Sequence, residues 1–163
     1  MEHKVFGAPL PEVEYRDRPG AYGIAFDGQG RAAVVSCGQY GCFLLGGGIE
    51  PGESEAECIR REALEEAGYT VAVGEKVCVG EEFTVTRQGE PFHPIGHVYL
   101  IQLGEKTSEP VETDHYLTWL PVEEFQKRTF LRYQSWAMGA AWTLYQKRRE
   151  DAGHGKQQQF ELF

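Results

Sequence analysis

The stretch from Gly46 to Tyr69 constrains the fold of this chain more than any other part of its sequence. It begins with GGGIEPG at residues 46–52, in which four of the seven residues are glycines. Ser54 and Glu57 then have the spacing of a capping box, and Gly68 is typical of the residue that follows the end of a helix. The stretch therefore predicts a tight loop that leads directly into one short, capped helix.

The predicted helix carries a cluster of acidic side chains. Glu62, Glu65 and Glu66 are spaced i, i+3 and i+4, which places them within an arc of about 100° on one face. Like charges at these spacings destabilise a helix by about 0.2–0.5 kcal/mol per pair unless cations bind there. An oxygen-only ligand set suits Mg²⁺, with Mn²⁺ as a substitute. The octamer REALEEAG alone is more typical of a solvated helix face, but the glycine-rich loop before it favours a binding site.

The opposite face of this helix is apolar and composed mainly of small residues. Its members are Ala56, Ile59, Ala63 and Ala67. Because three of these side chains are single methyl groups, the helix is expected to pack close to the layer beneath it.

The same stretch resembles the signature of the Nudix hydrolases, the MutT-like family. Gly47, Glu53 and the run from Arg61 to Tyr69 match every glycine, glutamate and arginine position of that signature. The differences are uncharged: Ala63 and Tyr69 replace bulky aliphatic residues, and Leu45 replaces a proline. The resemblance implies an α/β fold, an α/β/α sandwich with a mixed β-sheet. It also implies hydrolysis of a phosphoanhydride bond in a nucleoside diphosphate linked to a further group X.

The resemblance also implies roles for individual residues. Glu62, Glu65 and Glu66 are the expected metal ligands, with the backbone carbonyl of Gly46 as a fourth. Arg61 and Glu53 are expected to pair and to brace the loop against the helix. Gly47, Glu53 and Gly68 are assigned to structural support, and Arg61, Glu62, Glu65 and Glu112 to catalysis. The general base stays open between Glu62, Glu65, Glu112 and Asp114, with Glu81 and Glu82 as weaker candidates.

The substrate is less constrained by the sequence. The proline that marks many ADP-ribose pyrophosphatases and the tyrosine that marks many dinucleoside polyphosphate hydrolases are absent, and Val85 and Thr86 stand near those places. Nucleoside triphosphates are therefore favoured by elimination. ADP-ribose, nucleotide sugars and dinucleoside polyphosphates remain alternatives, as does a non-catalytic nucleotide-sensing module. Aromatic residues that could stack on a base are Phe83, Phe92, Tyr99 and Trp119.

Charge and cysteine content narrow the partners and the compartment. The formal net charge of −9 argues against long nucleic acid, and an RNA 5′-end hydrolase would need more than the local basic patch within residues 127–149. The four cysteines form no CxxC pair, which is typical of a reducing compartment, so a cytoplasmic location is expected. No signal peptide or membrane-spanning run is visible, which argues against a membrane protein. A small nucleotide is the expected partner, and the frequent dimers among Nudix relatives are compatible with a homodimer.

The remaining pattern predicts one domain over residues 1–150 and a flexible tail over residues 151–163. Strands are expected at residues 21–26 and 32–36, joined as a hairpin, and at 42–45, 70–79, 82–87, 97–103 and 116–120. Residues 122–150 have helical spacing with a break near Thr129, and their aromatic residues, including Phe130, Tyr133 and Trp136, are interpreted as core. The histidines at 93, 97 and 115 are interpreted as structural polar residues rather than catalysts.

Overall fold

A computed structural model describes residues 1–111 and 114–161 of the chain. Within those residues the chain forms nine β-strands and three α-helices. In chain order these are β1 Glu2–Phe6, β2 Arg16–Ile24, β3 Arg31–Ser36, β4 Cys42–Phe43, β5 Leu45–Gly48, α1 Glu55–Ala67, β6 Tyr69–Glu82, β7 Thr84–Val85, β8 Pro91–Lys106, β9 Tyr116–Pro121, α2 Val122–Arg128 and α3 Arg132–Glu161.

The strands form two sheets. The larger sheet has the order β1-β6-β8-β2-β5, with the short β7 paired to β8. Its β1–β6 and β2–β8 pairs are parallel, whereas β6–β8 and β2–β5 are antiparallel. The smaller sheet has the order β4-β3-β9 and is antiparallel. The predicted α/β fold with a mixed sheet is therefore confirmed.

The helices cover opposite faces of the larger sheet. Successive side chains of a strand point to opposite faces. On β2, Ala21 lies in the apolar cluster that contains Ile59 of α1, whereas Tyr22 and Ile24 lie in the cluster that contains Met138 of α3. This arrangement produces the layered sandwich.

Two strand predictions were correct only in part, although the predicted hairpin is present next to its turn, where Phe26 pairs with Ala32. The turn at residues 27–30 is present, since the Asp27 N–H donates to the Arg31 carbonyl over 2.9 Å, but β2 and β3 then diverge into different sheets. The single strand predicted at residues 42–45 is divided, because Cys42–Phe43 pairs with β3 and Leu45–Gly48 pairs with β2. The chain thus changes from one sheet to the other at the turn of residues 27–30, and again between β4 and β5, just before the glycine-rich loop.

The acidic helix α1 begins and ends where the sequence predicts. The Ser54 hydroxyl accepts a hydrogen bond from the Glu57 N–H at 3.1 Å, and Gly68 adopts the left-handed conformation with φ of 74°. Ile59, Ala63 and Ala67 are buried as expected. Cys58 joins them on the buried face in place of the more exposed Ala56.

The C-terminal helical region divides at Thr129, as predicted, into α2 and α3. Tyr133 is fully buried, but Phe130 is 59% exposed, so its interpretation as a core residue was wrong. The helix α3 continues to Glu161 and includes most of the region predicted as a tail, and the flexibility of that region stays a prediction. Within the described residues no helix is both long and apolar enough to cross a membrane.

Candidate active site

The acidic face of α1 lies against the glycine residues of β5. Glu66, whose side chain is 8% exposed, accepts a hydrogen bond from the Gly46 N–H at 2.9 Å. A Cβ atom at Gly47 would lie 2.6 Å from the nearer carboxylate oxygen of Glu62. A side chain at Gly47 would therefore displace the Glu62 carboxylate.

Arg61 connects the helix to the loop. Its Nε donates to Glu53 Oε2 at 2.7 Å and its Nη2 donates to Glu53 Oε1 at 2.9 Å, which is a bidentate ion pair. The same Nη2 donates to the Gly48 carbonyl at 3.0 Å. The pairing of Arg61 with Glu53 that the sequence suggested is present, and it extends to the backbone of β5.

This pairing changes the ionisation of both partners. Hydrogen bonds from Arg61, followed by a backbone hydrogen bond from Glu50, lower the pKa of Glu53 from 4.5 to about 2. The hydrogen bond to Glu53 is also the largest cause of the raised pKa of Arg61. The brace therefore stays charged at any pH at which an enzyme of this kind would work.

The carboxylates outnumber the cation that faces them. Arg61 lies between 2.7 and 3.7 Å from Glu50, Glu53, Glu62 and Glu65. Among the described residues one guanidinium faces four carboxylates, so these side chains together carry a net negative charge. Such a set of oxygen ligands fits a hard divalent cation.

Among residues 1–111 and 114–161, no three His, Cys, Asp or Glu side chains meet in the arrangement of a preformed metal centre. The oxygen donors and the excess negative charge fit a divalent cation. The described side chains, however, do not point to one common position at which a cation would bind. The assignment of Glu62, Glu65, Glu66 and the Gly46 carbonyl as metal ligands stays a prediction.

A buried thiol supports the loop from below. Cys58 Sγ donates to the carbonyls of Gly47 at 3.4 Å and Gly48 at 3.5 Å. Burial, and then the nearby charge of Glu53, raises the pKa of this thiol to about 11. Cys58 therefore remains a neutral donor and holds the glycine carbonyls in place.

The downstream acidic candidates have different positions. Glu112 lies outside the described residues, so its assignment stays a prediction. Asp114 lines a surface cavity together with His115. Glu82 is buried and accepts hydrogen bonds from the Tyr133 N–H and from Arg132, and Glu81 contacts His3 and His93. Both Glu81 and Glu82 therefore have structural partners away from α1.

His115, which the sequence analysis interprets as a structural polar residue, lies beside the acidic face of α1. Its Nδ1 lies 3.7 Å from Glu66 Oε2. The other two histidines have structural partners, as interpreted: His93 lies between Asp17 and Glu81, and His97 contacts Lys76. The available signal for His115 was its position immediately before the last strand, beside the acidic stretch that ends at Asp114.

A cavity of about 470 Å³ adjoins the carboxylate cluster. Gly46, Gly47, Glu66 and His115 line the end of this cavity nearest to α1. Its other walls come from both sheets and from the start of α3, and they include Arg16, Arg18, Tyr22, Tyr40, Phe43, Arg87, Phe92, Phe130, Tyr133 and Gln134. We call it the arginine pocket, after Arg16, Arg18 and Arg87.

Of the aromatic residues suggested for base stacking, Phe92 lines the arginine pocket. The other three lie elsewhere. Phe83 stacks on His93 with ring centroids 4.1 Å apart, the Tyr99 hydroxyl donates to Glu55, and Trp119 lines a separate cavity. Spacing along the strands did not distinguish the faces on which these rings lie.

Comparison with known proteins identifies a matching family model and solved structures with the same fold. The family model described as NUDIX domain matches residues 16–138. No curated protein matches the chain significantly.

Solved structures with the same fold are similar over most of the chain. The solution structure of the E. coli ORF135 protein is 22% identical with a TM-score of 0.60, and the match covers 86% of this chain and 98% of that protein. A NUDIX hydrolase from Nitrosomonas europaea is 15% identical with a TM-score of 0.61, covering 77% and 88%. A MutT NUDIX hydrolase from Burkholderia pseudomallei is 20% identical with a TM-score of 0.58, covering 77% and 98%. At these identities the structures establish the shared fold.

Proposed function

This chain belongs to the NUDIX domain family, and from that membership we propose that it is a metal-dependent pyrophosphatase acting on a nucleoside diphosphate linked to a further group X. One observation supports this proposal above the others. The carboxylates of α1 carry an excess of negative charge and lie beside a pocket whose other walls carry arginines and aromatic rings. Cations held by the carboxylates and arginines in the pocket together suit a ligand with several phosphates.

We propose that Glu62, Glu65 and Glu66 hold Mg²⁺, or Mn²⁺ in its place, with the carbonyl of Gly46 as a further ligand. A divalent cation at this position would neutralise phosphate oxygens and lower the pKa of an attacking water. The Gly46 N–H donates to one oxygen of Glu66, which holds this carboxylate beside β5. Arg61 and Glu53 keep α1 and β5 at a fixed separation, and accurate placement of this kind is a requirement of catalysis.

We propose that the proton acceptor is one of four carboxylates, two on α1 and two downstream of it. Exposure and contacts among the described residues support a carboxylate on α1. Glu65 has a side chain that is 41% exposed and forms only a 3.4 Å contact with Arg61, whereas Glu62 is 14% exposed and is held by Arg61 at 2.8 Å. A base must reach the water and give up its proton to solvent. We therefore rank Glu65 before Glu62, with Glu112 and Asp114 as the alternatives downstream.

We propose nucleoside triphosphates as the first substrate class to examine. The absence of the sequence markers of the ADP-ribose and dinucleoside polyphosphate enzymes supports this order, and the arginines of the pocket suit a polyphosphate. We also propose a reducing, cytoplasmic compartment, which the four free thiols support. A homodimer is compatible with the family resemblance.

The test is release of phosphate and mononucleotide from nucleoside triphosphates, nucleotide sugars, ADP-ribose and dinucleoside polyphosphates. Each substrate is assayed with Mg²⁺, with Mn²⁺ and with EDTA. Turnover that requires the metal and favours one class supports the hydrolase and identifies X. Binding of nucleotides without turnover of any of them would contradict the proposal and favour a nucleotide-sensing module.

A further inference from the structure

The arginine pocket has an unusual distribution of charge for this chain. The protein has a net charge of −9, yet Glu66 is the only carboxylate residue among the described residues that line the pocket. Arg16, Arg18 and Arg87 all line it, and none of the three forms an ion pair with a described residue. By contrast, several arginines elsewhere are paired with carboxylates, namely Arg31, Arg61, Arg128, Arg132 and Arg148.

Arg18 lies beside the glycine segment that packs against the acidic face of α1. It precedes Gly20, which pairs with Gly48 across the β2–β5 ladder. A Cβ atom at Gly48 would lie 3.2 Å from Arg18 Nε, so the guanidinium lies next to Gly48. The Gly48 carbonyl is also the acceptor for Arg61 Nη2. Gly48 of β5 is thus contacted by Arg61 and approached by Arg18, which has no carboxylate partner among the described residues.

A second part of the pocket presents flat surfaces. The guanidinium of Arg87 lies 3.4 Å from the ring centroid of Tyr40, and that of Arg16 lies 5.3 Å from the ring centroid of Phe92. Tyr40 is 44% exposed, and Tyr40 and Arg87 line both the arginine pocket and the neighbouring cavity that contains Asp114. Arginine–aromatic pairs of this kind offer planar faces on which a nucleobase can stack.

We infer that the arginine pocket binds the nucleoside 5′-monophosphate portion of the substrate, with its phosphate on Arg18 and its base against the Tyr40–Arg87 pair. This inference rests on the proposed function, because it assigns the half of the substrate that lies on the pocket side of the cleaved bond. Arg18 supplies charge and paired N–H donors for a phosphate that the carboxylate cluster would otherwise repel. The nucleoside monophosphate released by hydrolysis is therefore a ligand of the pocket in its own right and a competitive inhibitor.

The experiment measures binding without catalysis. Isothermal titration calorimetry is performed on the full chain in EDTA with AMP, GMP, CMP and UMP, with the four parent nucleosides, and with ribose 5-phosphate. At least one monophosphate is expected to bind about tenfold or more tightly than its nucleoside and than ribose 5-phosphate. Arg18→Gln should lower the affinity for that monophosphate to the affinity for its nucleoside, and Arg18→Lys should restore part of the lost affinity. Tyr40→Ala should lower the affinity for the monophosphate toward the affinity for ribose 5-phosphate.

Arg149→Gln is the matched control, because it removes the same charge from α3 at a residue that lines a different cavity. It should bind the monophosphate like the wild type, and circular dichroism melting should show that all variants are folded. Equal affinity of wild type and Arg18→Gln, or equal affinity of a nucleoside and its monophosphate, would overturn the inference. Equal affinity of ribose 5-phosphate and every monophosphate would overturn the assignment of the base.

The same preparation separates this inference from the proposed function. If Mg²⁺-dependent hydrolysis is observed but no monophosphate binds, the inference is wrong and the hydrolase stands. If a monophosphate binds through Arg18 but no substrate is hydrolysed with Mg²⁺ or Mn²⁺, the pocket assignment stands and the hydrolase is wrong.

Discussion

Among the single residues of the site, Arg61 has the largest number of distinct partners. It contacts the loop through Glu53 and Gly48, and it contacts the helix through Glu62 and Glu65. Removal of Arg61 would leave a group of carboxylates without their shared cation, so its effect would combine misplacement with electrostatic repulsion. Glu53 is the more informative residue to change, because its pairing can be weakened while Arg61 stays in place.

Glu62→Gln and Glu65→Gln should each lower kcat by about 100-fold or more, since each removes a charged ligand or the proton acceptor. Steady-state hydrolysis of the best substrate in saturating Mg²⁺ is the measurement. Glu57→Gln is the matched control, because Glu57 is an exposed glutamate of the same helix and forms no ion pair with a described residue. Activities within a few fold of wild type for both variants would show that the metal and base assignments are wrong.

Glu53→Gln should change the pH dependence of stability. The pKa of Glu53 is lowered from 4.5 to about 2, so its charged pairing with Arg61 stabilises the folded state fully above pH 4.5 and is lost as the pH falls through 2. Urea unfolding followed by circular dichroism should therefore show the largest difference in unfolding free energy between wild type and variant near neutral pH. That difference should shrink between pH 4.5 and 2. A difference that is constant over this range, as expected for Glu57→Gln, would contradict the assigned pairing.

At the residue scale, the sequence predicts contacts that are local and misses those that are distant. The acidic face of α1 follows from i, i+3 and i+4 spacing, and the Arg61–Glu53 pair, eight residues apart, is implied by the resemblance to the Nudix signature. The contact between His115 and Glu66 spans 49 residues, and the approach of Arg18 to Gly48 depends on the register of β2 with β5. No spacing rule within one element could have supplied either contact.

At the scale of elements, the unit formed by β5, the glycine-rich loop and α1 determines the position of the carboxylates. The helix is fixed at its start by Ser54, at its end by Gly68, and along its length by Cys58 and Glu66, which contact β5. Gly68 also accepts a hydrogen bond from the Thr107 N–H at 2.8 Å, which attaches the helix end to the loop after β8. The orientation of the acidic face therefore depends on glycines at both ends of the unit.

Gly68→Ala should destabilise the protein more than Gly52→Ala, although both residues have similar positive φ values of 74° and 78°. At Gly52 an added Cβ meets no atom within 4 Å, so the cost is the backbone strain alone, about 1–2 kcal/mol. At Gly68 the Cβ would also overlap the carbonyl oxygen of Ser108. Thermal melting should show a loss in Tm for Gly68→Ala about twice that for Gly52→Ala or greater.

Gly28→Ala serves as the control for this pair, because Gly28 has no neighbour within 4 Å and no positive φ. Its Tm should lie close to that of the wild type. Equal losses for Gly52→Ala and Gly68→Ala would show that the contact with Ser108 does not constrain the end of α1.

Element types were more predictable than strand partners. Capping residues and periodicity identified α1, the break at Thr129 and the approximate positions of β2, β3, β6, β8 and β9. They could not show that β2 and β3 belong to different sheets, because a turn such as residues 27–30 is the same whether the strands stay paired or diverge. Strand partners depend on how α1 and α3 pack on opposite faces of the larger sheet. This packing is a tertiary effect that local sequence patterns do not encode.

At the scale of the whole molecule, the divergence of the two sheets creates the arginine pocket. Its walls include Arg18 and Phe92 from the larger sheet, and Val35 and Phe43 from the smaller one. Tyr133 of α3 contributes a further wall. The acidic cluster and the basic pocket thus share the Gly46–Gly48 segment as their common border. The carboxylates of α1 and the arginines of the pocket therefore lie on either side of one short segment. This arrangement suits a ligand that is bound partly through cations on the carboxylates and partly by direct contact with arginine.

If the acidic face of α1 binds a divalent cation as proposed, the stability of the fold should depend on that cation. Binding to the folded state alone adds RT ln(1 + [Mg²⁺]/Kd), which is about 1.4 kcal/mol at ten times Kd and corresponds to a Tm increase of about 3–6 °C for a chain of this size. Differential scanning calorimetry from EDTA to millimolar MgCl₂ should show that increase, with NaCl of equal ionic strength as the salt control. Glu65→Gln and Glu66→Gln should abolish most of it, whereas Glu57→Gln should retain it. An equal increase in all variants would mean that Mg²⁺ acts on the general charge of −9 rather than on the acidic face of α1.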